Sequence, residues 1–206
     1  MAERFPPIVP ESLSAPQKAI HDRLSSTIVP YFQNIFTVHD PKSGALVGPY
    51  AQFLYLPESV TNGYLAVGLA LAEIPDFPIR CREVAILAIG EHYGAPFELY
   101  SHVRVARKVG FSDIQIQDML EGRPPSGATE QEAVSWEVAR ALVGAGGTVP
   151  KGPLPQELWD RAENALGKVG AATLVHYSGY YAYTSVILNG TATPVPEGES
   201  IWPIPE

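Results

Sequence analysis

The sequence predicts an all-α protein, a single-domain helical bundle with a proline-rich arm at each end. Three observations point there. Apolar residues fall at helical spacing through the middle of the chain, capping signatures punctuate it, and period-two strand patterns are essentially missing. With 206 residues, 46% hydrophobic and 17% charged, the chain can bury a real core and is neither disordered nor a coiled coil. No internal repeat with a clear period is present.

Residues 1–14 hold Pro6, Pro7 and Pro10 and read as an extended arm. Ser14 with Gln17 resembles a capping box with Pro16 in the first turn. The spacing predicts a helix from about residue 15 carrying Ile20, Leu24, Ile28 and Tyr31 on one face, interrupted at Pro30. His39–Tyr50 is turn-rich, with Pro41, Gly44, Gly48 and Pro49. A short helix over AQFLYL leads to Pro57, and a longer one over VTNGYLAVGLALAEI follows until Asp76 and Pro78 break it. Two helices separated by Gly94-Ala95-Pro96 come next, and Gly110 fits a C-terminal cap. Ser112 opens IQIQDML, and Thr129 with Glu132 opens TEQEAVSWEVARALV as a second capping box. GAGGTVPKGPLP reads as a flexible connector before helices over about 155–166 and 169–189. The domain is expected over residues 15–190, with 191–206 a proline-rich tail on the surface or on a neighbouring subunit.

Composition narrows the function. A net charge of −8 argues against a nucleic-acid backbone or an anionic membrane as main partner. The single cysteine rules out an intramolecular disulfide and any Cys-rich metal site. The start of the chain has no apolar run of signal-peptide type, and no stretch is long and apolar enough to cross a bilayer, so a cytoplasmic location is expected. Gly144-Ala145-Gly146-Gly147 follows a helix, whereas a dinucleotide fingerprint follows a strand and opens a helix.

Chemistry concentrates between Arg82 and Gly110. Glu98 and His102 are four apart, so a helix stacks them on one face, where a carboxylate and an imidazole tune each other's proton affinity. The alternative for that pair is an exposed intrahelical contact worth a few tenths of a kcal/mol. Glu83 can be structural or catalytic. Arg82 can hold a substrate carboxylate or face solvent. His92, Tyr50, Tyr180 and His176 are lesser candidates for lining a pocket, with His176 equally readable as a core histidine. The later tyrosines read mostly as core or interface aromatics. No third ligand at fixed spacing joins the Glu/His pair, so no metal is expected.

Arg82-Glu83, then Phe97-Glu98-Leu99-Tyr100-Ser101-His102, then Lys108-Val109-Gly110-Phe111-Ser112 resemble the carboxymuconolactone decarboxylase family, which includes the alkylhydroperoxidase D branch. Gly48-Pro49-Tyr50, Leu56-Pro57-Glu58 and Ser178-Gly179-Tyr180-Tyr181 match less specifically, and the resemblance spans about residues 45–190. It implies that family's helical fold, with assembly as a symmetric homo-oligomer, a trimer or hexamer. In the peroxidase branch two cysteines precede the histidine. Here those positions fall on Ala95 and Glu98, so thiol peroxidase activity is not expected. The resemblance then implies a cofactor-independent lyase acting on a small cyclic, carboxylated, lactone-like substrate. In that expectation His102 is the proton donor or shuttle, Glu98 sets its pKa and tautomer, and Glu83 orients a second relay. Two alternatives stand beside it. One is isomerisation, dehydration or cyclisation of an aromatic or polyketide-type substrate at the same site. The other is a non-catalytic binding or assembly protein.

Overall fold

The structure is a computed structural model that describes residues 4–32, 34–145 and 152–204. Among these residues a 3₁₀ turn at Pro10–Ser12 precedes eight α-helices: α1 (Ala15–Phe32), α2 (Pro49–Phe53), α3 (Glu58–Ala72), α4 (Ile79–Tyr93), α5 (Pro96–Lys108), α6 (Asp113–Leu120), α7 (Glu130–Val143) and α8 (Gln156–Thr191). Extended pairing among the described residues is limited to one antiparallel bridge, His39 with Leu46, inside the turn-rich segment. The all-α, single-domain expectation holds. Residues 146–151 of the expected connector lie outside the described residues.

Helix α4 is the hub, packing against α5, α6, α7 and α8. Every residue from Glu83 to Gly90 is buried, as expected of a helix that is apolar nearly all round. Gly94, in the left-handed conformation, ends α4, and Pro96 in the first turn starts α5 at once. The short break folds α5 back as an antiparallel neighbour of α4. The capping box predicted at Thr129 with Glu132 forms on α7, and the N-cap expected at Ser112 is completed by Gln115 into a further box on α6. At Ser14, Gln17 Oε1 accepts from the Ser14 backbone N–H, which is half of such a box. Gly167 takes a non-helical conformation at φ 72°, ψ 165°, and so breaks α8 where the sequence places the gap between its last two helices.

Two main apolar clusters result, beside a small third of Phe97, Tyr100 and Leu188. The larger joins Val84, Leu87 and Ile89 of α4 to Val103, Ile116, Met119, Val134, Val138 and Leu174. The smaller joins Ile20, Leu24 and Ile28 of α1 to Leu46, Tyr50, Phe53 and Leu65. Two details of α1 differ from expectation. The helix continues past Pro30 to Phe32, since proline so near a helix end removes a single bond. Tyr31 is half exposed rather than part of the apolar face.

The C-terminal tail packs on its own chain. Ile201, Trp202 and Ile204 lie against the larger cluster. Buried Arg104 donates to the carbonyls of Tyr100 and Ser200 at 2.9 and 3.0 Å and to Glu199 Oε2 at 2.7 Å. Its guanidinium also sits 4.0 Å from the centre of the Tyr100 ring.

At the entry to α2, Gly48 adopts φ 64°, ψ −143°, which only glycine adopts readily. A Cβ there would come within 2.2 Å of the Phe97 ring. Gly48→Ala is therefore expected to lower stability by about 2–5 kcal/mol, combining backbone strain with overpacking. Urea unfolding of both proteins measures this, and a loss below ~1 kcal/mol would show that Phe97 yields freely.

Candidate active site

Arg82 and Glu83 lie one turn into α4, and Glu98 and His102 lie on the α5 face that packs against it. The break between the two helices brings the four side chains together. His102 Nδ1 lies 2.7 Å from Glu83 Oε2, and its Nε2 lies 3.3 Å from Glu98 Oε1. The other oxygen of Glu83 accepts from Arg82 Nε at 3.0 Å, and Arg82 Nη1 reaches the Tyr31 hydroxyl at 3.4 Å. Glu83, Glu98 and His102 are all buried, Glu83 at 1% exposure. The imidazole therefore has a carboxylate at each nitrogen. Glu83 makes the true hydrogen bond. The Glu98 contact is off line, and its Oε1 has no hydrogen-bond partner among the described residues.

These side chains form one wall of a cavity enclosing about 100 Å³. Tyr50, Tyr64, Phe36, Phe97, Tyr180 and Tyr181 are the main aromatic members of the remaining wall. The Tyr181 ring stands edge-on to the His102 ring, centroids 5.1 Å apart.

Burial sets the protonation chemistry. Its cost to the charged form is the main reason the Glu98 carboxyl rises from 4.5 to about 7; the nearby imidazole pulls it down and Glu83 pushes it further up. A position in the first turn of a helix favours the ionised form, but within an apolar envelope desolvation wins. For His102, burial opposes protonation, yet the charges of Glu83 and Glu98 and the Glu83 hydrogen bond outweigh it, so its pKa is raised. Glu98 and His102 thus each hold a proton more tightly than the free group does and, being coupled, titrate as a pair. Burial, with smaller contributions from neighbouring charges, also lifts the Tyr50 and Tyr181 hydroxyls well above the usual tyrosine range.

Of the residues singled out in the sequence, Glu83, Glu98, His102, Arg82, Tyr50 and Tyr180 line this cavity. Two do not. His92 is nine residues from Glu83 on α4, half a turn round at 100° per residue, and packs edge-on against Tyr93 instead. His176 is an exposed residue on a shallow groove between α3 and α8, about a quarter turn from the face carrying Tyr177, Tyr181 and Thr184. It is not a core histidine. The role expected of Glu98 in fixing the tautomer also moves, because Glu83 holds Nδ1. Tyr31, Tyr64, Tyr177 and Tyr181 were missed as lining residues. Tyr177, Tyr180, Tyr181 and Thr184 follow the i, i+3, i+4, i+7 spacing of one helical face, a signal that sets their common direction. Spacing places Tyr31 on one face of α1 with Ile28, which also lines the cavity, but gives no sign of which side of the cavity that face meets.

Among the described residues no group of three or more His, Cys, Asp or Glu side chains is arranged to hold a metal ion. Cys81 is buried at 1% exposure on α4 and is absent from the cavity wall. Burial raises its thiol pKa. Among the described residues no helix is long and apolar enough to cross a membrane.

No protein-family model matches the chain, and no curated protein matches it. A solved structure does. It is the crystal structure of a cysteine-to-alanine variant of the debrominase Bmp8 in complex with 2,3,4-tribromopyrrole, 10% identical, covering 96% of this chain and 94% of that one with a TM-score of 0.67. The chain shares that enzyme's helical fold. The likeness agrees with the helical family expected from the sequence, and no family match confirms it.

The protonation scheme has a measurable consequence for stability. Raised pKa values on Glu98 and His102 mean that the folded chain holds these protons more tightly than the unfolded chain. The stability they supply is complete below pH 4.5 and is lost as pH rises through about 7 for Glu98, with His102 losing its share above 6.5. Glu98→Gln removes the first contribution and weakens the second. The stability of Glu98→Gln relative to wild type is expected to rise between pH 5 and pH 8 by an amount on the order of 3 kcal/mol. Denaturant titrations across that range test it, and a pH-independent difference would contradict this protonation scheme.

Proposed function

We propose that the chain is a cofactor-independent lyase of the carboxymuconolactone decarboxylase type, acting by general acid/base chemistry on a small cyclic, carboxylated, lactone-like substrate. The observation that carries this reading is His102, held at Nδ1 by buried Glu83 with buried Glu98 beside Nε2, on the wall of an aromatic cavity. A buried proton donor whose pKa is raised by neighbouring carboxylates is what protonation of a carbanion at carbon requires. The cavity of about 100 Å³ suits one small ring. The ring in the debrominase structure, a bromopyrrole, is of that class, although it speaks only for that enzyme.

In the proposed cycle the ring lies among Phe36, Tyr64 and Tyr181. Arg82, with N–H groups beyond those engaged by Glu83 and Tyr31, receives the substrate carboxylate. The bond from ring carbon to carboxylate breaks, carbon dioxide leaves, and the electron pair passes into an enolate. A proton held by His102 and Glu98 goes to carbon, and solvent restores it. Glu83 keeps Nδ1 occupied so that Nε2 faces the reaction. Thiol peroxidase chemistry is not part of the proposal, since Ala95 and Glu98 stand where that branch carries its cysteines and Cys81 is off the wall.

The aromatic wall favours a second reading, isomerisation of an aromatic ring through the same proton shuttle. Turnover of carboxymuconolactone by the pure protein separates the two, followed as carbon dioxide and enol-lactone formation. Wild type is expected to turn over, with kcat reduced about 10²–10⁴-fold in His102→Ala and Glu98→Gln. No turnover by folded wild type moves the weight to the second reading. Ligand binding indifferent to Glu98→Gln would favour a non-catalytic protein.

Assembly as a homo-trimer or homo-hexamer in the cytoplasm belongs to the same proposal. In support, Val60 and Val67 of α3 and Tyr183 and Val186 of α8 leave apolar surface exposed. Light scattering on a size-exclusion column is expected to return a mass three or six times that of the chain, and a monomer would count against it.

A further inference from the structure

We infer that Tyr50 and Tyr181 are paired hydrogen-bond donors for a substrate oxygen that becomes negative during the reaction, so that the ligand is a ring bearing an enolisable carbonyl or a phenolic oxygen. The inference rests on the acid/base reading above and adds to it the groups that hold the charge.

The cavity wall contains six tyrosines, and they divide by what their hydroxyls do. Tyr31 accepts from Arg82, Tyr64 pairs with Thr184, Tyr177 donates to the Leu71 carbonyl, and Tyr180 donates to the Tyr64 carbonyl. Those four are committed to the protein. The Tyr50 and Tyr181 hydroxyls make no hydrogen bond among the described residues, although Tyr50 is only 6% exposed. Nor are they among the side-chain polar atoms sealed from solvent without a partner. A buried tyrosine normally finds a partner for its hydroxyl. Two without such a partner, both on the cavity wall and carried by α2 and α8, are placed to meet a ligand.

Their neighbours fix which ligand atom. Tyr181 packs edge-on against His102, and the charge of Glu98 is felt at both hydroxyls. An oxygen held by the pair is therefore close to the carbon that the Glu98–His102 proton reaches, the relation of oxygen to carbon in an enolate. Burial and the neighbouring groups keep both hydroxyls protonated, so they donate rather than repel a negative oxygen. Neutral donors fixed in a desolvated site are effective stabilisers of such charge. In the balanced step the electron pair released with carbon dioxide moves onto the carbonyl oxygen. The hydroxyl protons of Tyr50 and Tyr181 stay on their own oxygens as hydrogen-bond donors. The proton that ends on carbon comes from Glu98 and His102.

The test uses binding rather than turnover. The probes are para-nitrophenol, read by the absorbance of its phenolate, and nitrobenzene, a ring of similar shape without the oxygen. Wild type is expected to bind the phenolate at least tenfold more tightly than nitrobenzene. Tyr50→Phe and Tyr181→Phe are each expected to weaken phenolate binding about tenfold, with less than a twofold change for nitrobenzene. The ionisation midpoint of the bound probe should rise by about one pH unit in each variant. Both variants keep the ring, and their thermal melting checks that the wall is intact. No preference for the phenolate in wild type, equal losses for both probes, or a selective loss in only one variant would each overturn the pairing. A phenolate preference that persists in a protein inactive on carboxymuconolactone would sink the decarboxylase reading and leave this inference standing.

Discussion

The arrangement depends on one buried contact, the 2.7 Å bond between Glu83 Oε2 and His102 Nδ1. A carboxylate 1% exposed in the hub helix is tolerable only if its charge is met, and Arg82 and His102 meet it from two sides. The bond ties α4 to α5 across the face where they pack, so the imidazole is fixed by the same contact that aligns the helices. Through Arg82 the connection continues to Tyr31, which brings α1 over the cavity. Removing either end of the Glu83–His102 bond would leave an uncompensated buried charge and cost about 3–5 kcal/mol. Structure and chemistry are not separable at this pair, and a test of catalysis is cleaner at Glu98.

Glu98 is where the site departs from a stability optimum. Its position in the first turn of α5 would suit an ionised, solvated carboxylate, but the aromatic wall takes away the solvent. The carboxyl answers by holding its proton to about pH 7. A well-packed core would avoid an off-line contact with an unpartnered oxygen, because such an atom costs about 1–3 kcal/mol. Retention of that arrangement beside a cavity is the pattern expected of a functional site.

Much of this was legible in the sequence, for reasons that differ by residue. The N-cap at Ser112, the capping box at Thr129 and the Gly94-Ala95-Pro96 break are local signals, and each forms where its residues place it. The pairing of Glu98 with His102 follows from helical spacing. What spacing cannot supply is the rotation of one helix about its axis relative to the next. That rotation put Glu83 on the imidazole, turned His92 to the far side of α4, and sent His176 to the surface while Tyr181 went inward. The contribution of Tyr31 depends on how α1 docks: its spacing places it on one face with Ile28 and does not say what that face meets. The arm and the tail were assigned by proline content, whereas Arg104 secures the tail through backbone carbonyls that no pattern of side chains announces.

The charge state of the site bears on the substrate under the proposed reading. Arg82 and Glu83 form an ion pair, and the raised pKa values of Glu98 and His102 leave little net negative charge among the four groups near neutral pH. A carboxylated ring entering this cavity adds one negative charge in a low-dielectric space and strengthens the hold of Glu98 and His102 on their protons. The substrate would thereby keep its own proton donor charged until the carboxylate departs. Once carbon dioxide has left, the same negative charge resides on the enolate, beside the proton it requires and within reach of Arg82. The total charge within the walls stays constant through bond cleavage and protonation, and the pair is reset by solvent only after product leaves. A site built this way has no need to attract an anion strongly in its resting state. Its selectivity would come from ring size, from the oxygen acceptor and from the hold Arg82 keeps on the carboxylate.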